Sequence, residues 1–125
     1  MVAIGDTYWI EDPSSTKPHL YFVITEPDEN NRVLLVNMTD IDNISDRSCV
    51  IEPKDHKAVS KKSAIHYGDP IYARTSKLER AIKETEKFQY GPRASDKLIE
   101  KIQKGALSSQ HLDSRYEATI KRSLI

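Results

Sequence analysis

The pattern of apolar residues changes near residue 75, and this change restricts the fold more than any other feature of the chain. Before that point the apolar residues form short runs rich in β-branched and aromatic side chains, which is typical of strands. After it they recur every third or fourth residue, which is typical of helices. The 125 residues suit one domain. We therefore predict a single domain, 1–125, with a β core in 1–75 and a helical C-terminal segment in 76–125.

The first part of the chain contains five or six short apolar runs, separated by turn-forming residues. They are Thr7–Ile10, His19–Thr25, Arg32–Met38, Ser48–Ile51, and the pair Ser63–Tyr67 and Pro70–Ala73 around Gly68-Asp69. Segment 11–18 contains two prolines and is predicted to be a loop. The second and third runs are predicted to pair as an antiparallel hairpin. Strands this short favour a small closed barrel over a sandwich of two larger sheets.

Helix boundaries in the last third are predicted from capping and breaking residues. They are a capping box at Ser76 and Glu79, a break at Gly91-Pro92, an N-cap at Ser95, a helix end at Gly105, and an N-cap at Ser108 or Ser109. His111 is then expected on the surface of the last helix. The apolar stripes of these helices are narrow, so we expect them to dock on the barrel or on a second copy of the chain.

The composition limits the class of protein. Lys and Arg number 19, as do Asp and Glu, so the chain lacks the strongly basic balance of a dedicated DNA-binding protein. No apolar run approaches the ~20 residues that cross a bilayer, and the first ten residues lack the basic start of a signal peptide. The single cysteine, Cys49, fits a reducing compartment. We therefore expect a cytoplasmic protein with no membrane partner.

Motifs that mark cofactor or metal chemistry are missing. The sequence contains no glycine-rich phosphate loop, no HExxH, no GxSxG and no Cys/His pair at zinc spacing. Cys49 lies in an apolar run with no base adjacent in sequence, so it is expected to pack in the core rather than act as a nucleophile. We therefore expect no cofactor and no bound metal.

Polar residues at the ends of the apolar runs are the candidates for chemistry. His19 begins one strand of the predicted hairpin, and Thr39 follows the other. The start of the first strand and the end of the second lie at the same edge of an antiparallel sheet. We therefore expect the two side chains to be close together, at a rim lined by loops.

A second group of candidates follows the fourth strand. His56 lies in the polar loop 54–62, which contains four lysines including Lys61, and Ser63 comes next. An imidazole can take or give a proton near neutral pH, while hydroxyl and ammonium groups can hold a phosphate. RNA cleavage without a metal needs a base, an acid and a cation. His66 alternates with apolar neighbours, and its direction stays open.

The order of these pieces resembles that of the MazF/PemK family of bacterial plasmid-maintenance toxins. The similar parts are Gly5-Asp6-Thr7-Tyr8-Trp9, then Lys17-Pro18-His19-Leu20-Tyr21-Phe22-Val23-Ile24, then Leu35-Val36-Asn37-Met38-Thr39-Asp40. The resemblance covers residues 5–40, about a third of the chain. It implies an SH3-like barrel, often a homodimer, that cleaves single-stranded RNA without a metal and is neutralised by an antitoxin.

The resemblance also implies roles for individual residues. The usual catalytic pair of the family is an Arg before the Pro and a Thr at the later strand end; Thr39 matches the second, and Lys17 stands in place of the first. Lys keeps the charge but lacks the planar fork that clasps phosphate oxygens. We therefore predict that His19, Thr39 and His56 are catalytic, and that Lys17, Lys61 and Ser63 bind the substrate.

Two other functions stay open at this stage. A non-catalytic module on the same barrel, binding protein or nucleic acid, is favoured by the change to Lys17. The other open function is that of a toxin with the same fold that inhibits a protein target, such as a topoisomerase.

Overall fold

The computed structural model describes residues 1–11 and 17–125, which form one antiparallel sheet with three helices. The strands are β1 (Thr7–Ile10), β2 (His19–Val23), β3 (Arg32–Asp40), β4 (Val50–Ile51), β5 (Ser63–Arg74) and β6 (Phe88–Tyr90), and the helices are α1 (Thr75–Glu84), α2 (Asp96–Ser108) and α3 (Glu117–Arg122). The sheet order is β4-β5-β3-β2-β1-β6. The predicted mainly β fold with C-terminal helices is confirmed. Most of the predicted loop 11–18 lies outside the described residues.

The sheet does not close into the predicted barrel. Within the described residues β4 pairs only with β5, and β6 pairs only with β1, so these two strands form the two edges of the sheet. The strand β6 was not predicted. It lies within the segment that was expected to be helical, and it extends the sheet beyond β1 through the pairs Tyr8↔Tyr90, Trp9↔Gln89 and Ile10↔Phe88.

Residues 63–74 form one continuous strand, where two were predicted. On one side of a discontinuity Asn37 of β3 pairs with His66, and on the other side Leu35 pairs with Ile71. One residue of β3 therefore faces four residues of β5, 67–70, and the excess forms a bulge. The predicted turn at Gly68-Asp69 is this bulge.

The boundaries of α1 differ from the prediction. Its N-cap is Arg74, which makes no side-chain capping bond, so the capping box at Ser76 and Glu79 is wrong. The helix ends at Glu84, well before Gly91-Pro92, because the intervening residues pair with β1. Long-range strand pairing prevails here over the local helical pattern.

Ser95 caps α2 as predicted, since its Oγ accepts a hydrogen bond of 3.1 Å from the amide of Leu98. Gly105 does not end this helix, which continues to Ser108. The last helix begins at Glu117, after a 3₁₀ turn capped by Asp113, so the predicted caps at Ser108 and Ser109 are wrong. His111 lies in the preceding connection rather than in the helix.

Apolar side chains cover both faces of the sheet. On the first, called the α2 face, the sheet contributes Leu20, Phe22, Leu34, Val36, Ile65 and Tyr67, which pack against Leu98, Ile99, Ile102 and Ile120 of α2 and α3. On the second, called the α1 face, Tyr8, Tyr21, Val23, Val33 and Leu35 pack with Val2 and with Leu78 of α1. Burial on both faces explains why the strands are almost continuously apolar in sequence.

Gly105 allows α2 to approach the sheet closely. A Cβ at this position would lie 2.5 Å from Tyr67 Oη, 2.7 Å from Cys49 Cβ and 2.9 Å from the carbonyl oxygen of Ser48. We expect Gly105→Ala to lower the free energy of unfolding by ~1–3 kcal/mol through overpacking. Alanine in an unconstrained helix interior would instead raise it by ~1 kcal/mol. Urea unfolding measures the difference, and an equal or higher stability would contradict the close approach.

Candidate active site

His19 and Thr39 lie at the same end of the sheet. The β2–β3 pairs are Val23↔Leu35, Phe22↔Val36 and Tyr21↔Asn37, and the pairing ends two residues short of His19 and Thr39. Alternation from Tyr21 and Asn37 puts both side chains on the α1 face. Both residues are half-buried. An imidazole and a hydroxyl therefore share one face at one end of the sheet.

Lys61, in the loop that precedes β5, lies near the same end of the sheet. Its ammonium group forms an ion pair with Asp40, the residue after Thr39. The hydrogen bond from Lys61 lowers the pKa of Asp40, and the same bond raises the pKa of Lys61. The side chain of Lys61 remains 68% exposed, so the cation is accessible from solvent. Lys17 is exposed at the start of β2, two residues before His19.

Ser63 is not placed to bind a substrate beside His19 and Thr39. Its hydroxyl is buried and donates a hydrogen bond of 3.0 Å to the carbonyl oxygen of Lys61. Ser63 lies two and four residues before Ile65 and Tyr67 of the α2 face, so its side chain is on that face and points away from Thr39. The prediction that Ser63 binds the substrate is therefore wrong, and its hydroxyl instead holds the end of the loop 54–62.

His56 also lies on the other side of the sheet. Its ring is 7% exposed and packs edge-on against Phe22 of the α2 face, with ring centroids 5.7 Å apart. Nε2 lies 2.7 Å from the carbonyl oxygen of Pro92, and Nδ1 accepts a hydrogen bond from the amide of Ala58. Both ring nitrogens are thus bound to backbone groups. The structure does not bring His56 together with His19, and it gives His56 a structural role in anchoring its loop.

A different histidine shares the face of His19 and Thr39. His66 pairs with Asn37 across β3 and β5, and Asn37 pairs with Tyr21 across β2 and β3. These three polar side chains form a row beside the His19–Thr39 row on the α1 face. The Nε2 atom of His66 lies 3.2 Å from the place a Cβ of residue 68 would occupy, so Gly68 leaves room for the ring. His66 also lines a cavity of about 90 Å³ with Asp46 and His111.

The side chains of His19, Thr39, His66, Lys17 and Lys61 are together called the rim site below. Sequence reasoning found four of them but missed His66. The alternation of His66 with apolar neighbours indicated that it points away from Ile65, yet only the register of β5 shows that it faces the same side as Thr39.

Cys49 lies in the core and is unsuited to nucleophilic chemistry. Burial raises the pKa of its thiol to about 11, so the thiolate is scarce at neutral pH. The interpretation of Cys49 as a packing residue is confirmed. In residues 1–11 and 17–125, no three His, Cys, Asp or Glu side chains are grouped so as to hold a metal ion. No helix in those ranges is long and apolar enough to span a membrane.

Comparison with known proteins adds no assignment. No family model matches the chain, and neither a curated protein nor a solved structure matches it.

Proposed function

We propose that the protein is a toxin-like endoribonuclease that cleaves single-stranded RNA at the rim site without a metal. The observation that supports this most is that His19 and Thr39 share one face at the open end of the β2–β3 hairpin, with a second imidazole, His66, on the same face. This arrangement supplies the three kinds of group that phosphodiester cleavage needs: a base, an acid and donors for the phosphate.

The chemistry assigns one task to each group. One imidazole removes the proton of the 2′-hydroxyl, whose oxygen attacks phosphorus, and the other protonates the departing 5′-oxygen. The Thr39 hydroxyl donates to a non-bridging phosphate oxygen, and the ammonium groups of Lys17 and Lys61 offset the charge of the phosphorane. Lys61 retains this capacity because an ammonium carries three donors and Asp40 engages only part of them.

The assignment of the fold to the SH3-like barrels is part of the same proposal. We infer that the open sheet is a variant of an SH3-like barrel, in which β5 pairs with β3 on both sides of its bulge and with β4 at its first two residues. The cytoplasmic location, the antitoxin and the homodimer implied by the resemblance belong to this proposal too.

A binding module without catalysis is the second candidate. Lys17 stands where the similar toxins carry Arg, and a lysine holds a phosphate as a point charge rather than through a fork. RNA held in this way need not be cleaved.

Cleavage of a long unstructured RNA in the presence of EDTA tests the proposal. The purified full chain should cut the RNA and leave 2′,3′-cyclic phosphate ends, and induced expression should fragment cellular RNA. Intact RNA in both settings, with protein shown by circular dichroism to be folded, would rule out the nuclease and leave the binding module.

A further inference from the structure

A groove lies on the α2 side of the molecule, between the loop that carries His56 and helix α2. Two adjoining cavities of about 720 and 540 Å³ form it, and they share Lys54, Asp55 and Ser95. This surface is separate from the rim site, which faces the other side of the sheet.

The groove is predominantly basic. Its cations are Lys54, Lys57, Arg93, Lys97, Lys101 and Lys104, and we call this set the basic groove. The carboxylates that line it are Glu52, Asp55 and Glu100, and Arg93 additionally pairs with Asp6 at 2.5 Å. Positive charge therefore exceeds negative charge even when Asp6 is included.

Two cations of the basic groove are uncompensated. Lys54, Lys101 and Lys104 pair with Glu52, Asp55 and Glu100, at 3.9, 3.6 and 2.8 Å. Lys57 and Lys97 form no ion pair with any residue of the described ranges 1–11 and 17–125. Lys97 lines the larger cavity and Lys57 the smaller one, so each half of the groove offers a cation for a ligand.

We propose that the basic groove binds the phosphates of single-stranded RNA that extends away from the rim site. The proposal rests on the proposed function, because it takes the substrate of that function as its ligand. Lysines on one side of α2 recur at 97, 101 and 104, over about 10 Å of helix, and so form a linear array of cations. A linear array suits a chain of phosphates better than it suits a single anion.

The path between the two sites follows one loop. Lys57 lines the groove, whereas Lys61, four residues later, pairs with Asp40 at the rim site. The loop therefore carries cations from the groove to the end of the sheet at which Thr39 and Asp40 lie. RNA that leaves the rim site along this loop meets Lys57 and then the lysines of α2.

The groove is less suited to a protein partner. Protein interfaces depend on buried aromatic and aliphatic anchors, and the pockets that receive them are largely apolar. The only aliphatic side chain in the larger cavity is Leu98, and the smaller cavity adds only the rings of Pro53, His56 and Pro92. Charge, rather than apolar area, is what this surface offers.

Binding of a 20-nucleotide 2′-O-methyl RNA, which lacks the attacking hydroxyl and cannot be cleaved, tests the proposal without requiring catalysis. Fluorescence anisotropy at 0.15 M salt compares K57E/K97E with K77E/K121E, a control with the same change of charge on exposed parts of α1 and α3. We expect at least a tenfold weaker Kd for the groove variant and a Kd within twofold of the wild type for the control. Loss of two phosphate contacts should reduce the slope of log Kd against log salt by about 1.4.

The outcomes separate this proposal from the nuclease. RNA binding that depends on the groove, without cleavage of ordinary RNA, would support the groove and overturn the nuclease. Equal weakening in both double variants would overturn the groove, as would the absence of any binding by the folded wild type. Groove-dependent binding of a polyglutamate peptide in place of RNA would overturn it in favour of an acidic protein partner.

Discussion

Replacement of His19 by alanine should slow the cleavage of single-stranded RNA by ~10²–10⁴-fold, the usual contribution of a positioned proton-transfer group. His19 is half-buried at the start of β2, on the face that carries Thr39 and His66. It is also two residues from Lys17, which is predicted to bind the substrate. Single-turnover rates with saturating enzyme give the effect on the chemical step. The unfolding midpoint in urea should stay close to that of the wild type, because the ring is not part of either apolar cluster.

Two other histidines serve as comparisons for this measurement. His111 is exposed and lines a small cavity beside His66, so His111→Ala should lower the rate much less than His19→Ala does. His56→Ala should lower the stability of the protein instead, because it removes the contacts to Pro92, Ala58 and Phe22. A folded His56 variant without activity, beside a fully active His19 variant, would contradict the assignment made here.

Replacement of Gln103 by leucine should lower the free energy of unfolding by about 2–4 kcal/mol, since each buried polar group left without a partner costs ~1–3 kcal/mol. Gln103 is fully buried in α2. Its Nε2 donates to the carbonyl oxygens of Ile24 and Ser123, at 3.0 and 2.8 Å, and its Oε1 accepts from the amide of Ile125 at 3.1 Å. One side chain of α2 thus connects the residue that follows β2 with the C-terminal end of the chain.

Urea unfolding provides the stability of this variant, and Gln110→Leu is the matched control because Gln110 is exposed. Limited proteolysis adds a local measurement: in the Gln103 variant, cleavage within α3 should become faster than in the wild type. A stability within 0.5 kcal/mol of the wild type, the usual range for surface substitutions, would show that water replaces the lost partners.

The strands could be predicted where apolar character alone decides the conformation. Both strands of the central hairpin are almost continuously apolar, and both are buried on two faces. The edge strand β6 could not be predicted because it has three residues, includes the polar Gln89, and owes its conformation to pairing with β1. Gly105 was misassigned because a glycine in sequence signals a helix end or a close contact equally well, and only packing decides between them.

Some residues of the candidate site could likewise be predicted from the sequence, and others could not. The geometry of any antiparallel hairpin brings the start of its first strand and the end of its second to one end of the sheet, which is where His19 and Thr39 lie. The prediction for His56 is wrong. A polar loop with four lysines indicates an exposed ring, whereas the ring packs inward against Phe22. His66 could not be placed from the sequence, because its direction follows from its pairing with Asn37 of β3, and only the structure gives that register.

The bulge also limits which lengths of chain the sheet can accept. It displaces the pairing of β5 by three residues, an odd number, so Ile65 and Tyr67 belong to one face while Ile71 and Ala73 belong to the other. Removal of one residue from 67–70 would keep the backbone ladder but rotate the second half of the strand, which would turn Ile71 and Ala73 away from α1. Related chains that differ in length here should therefore differ by two residues rather than one.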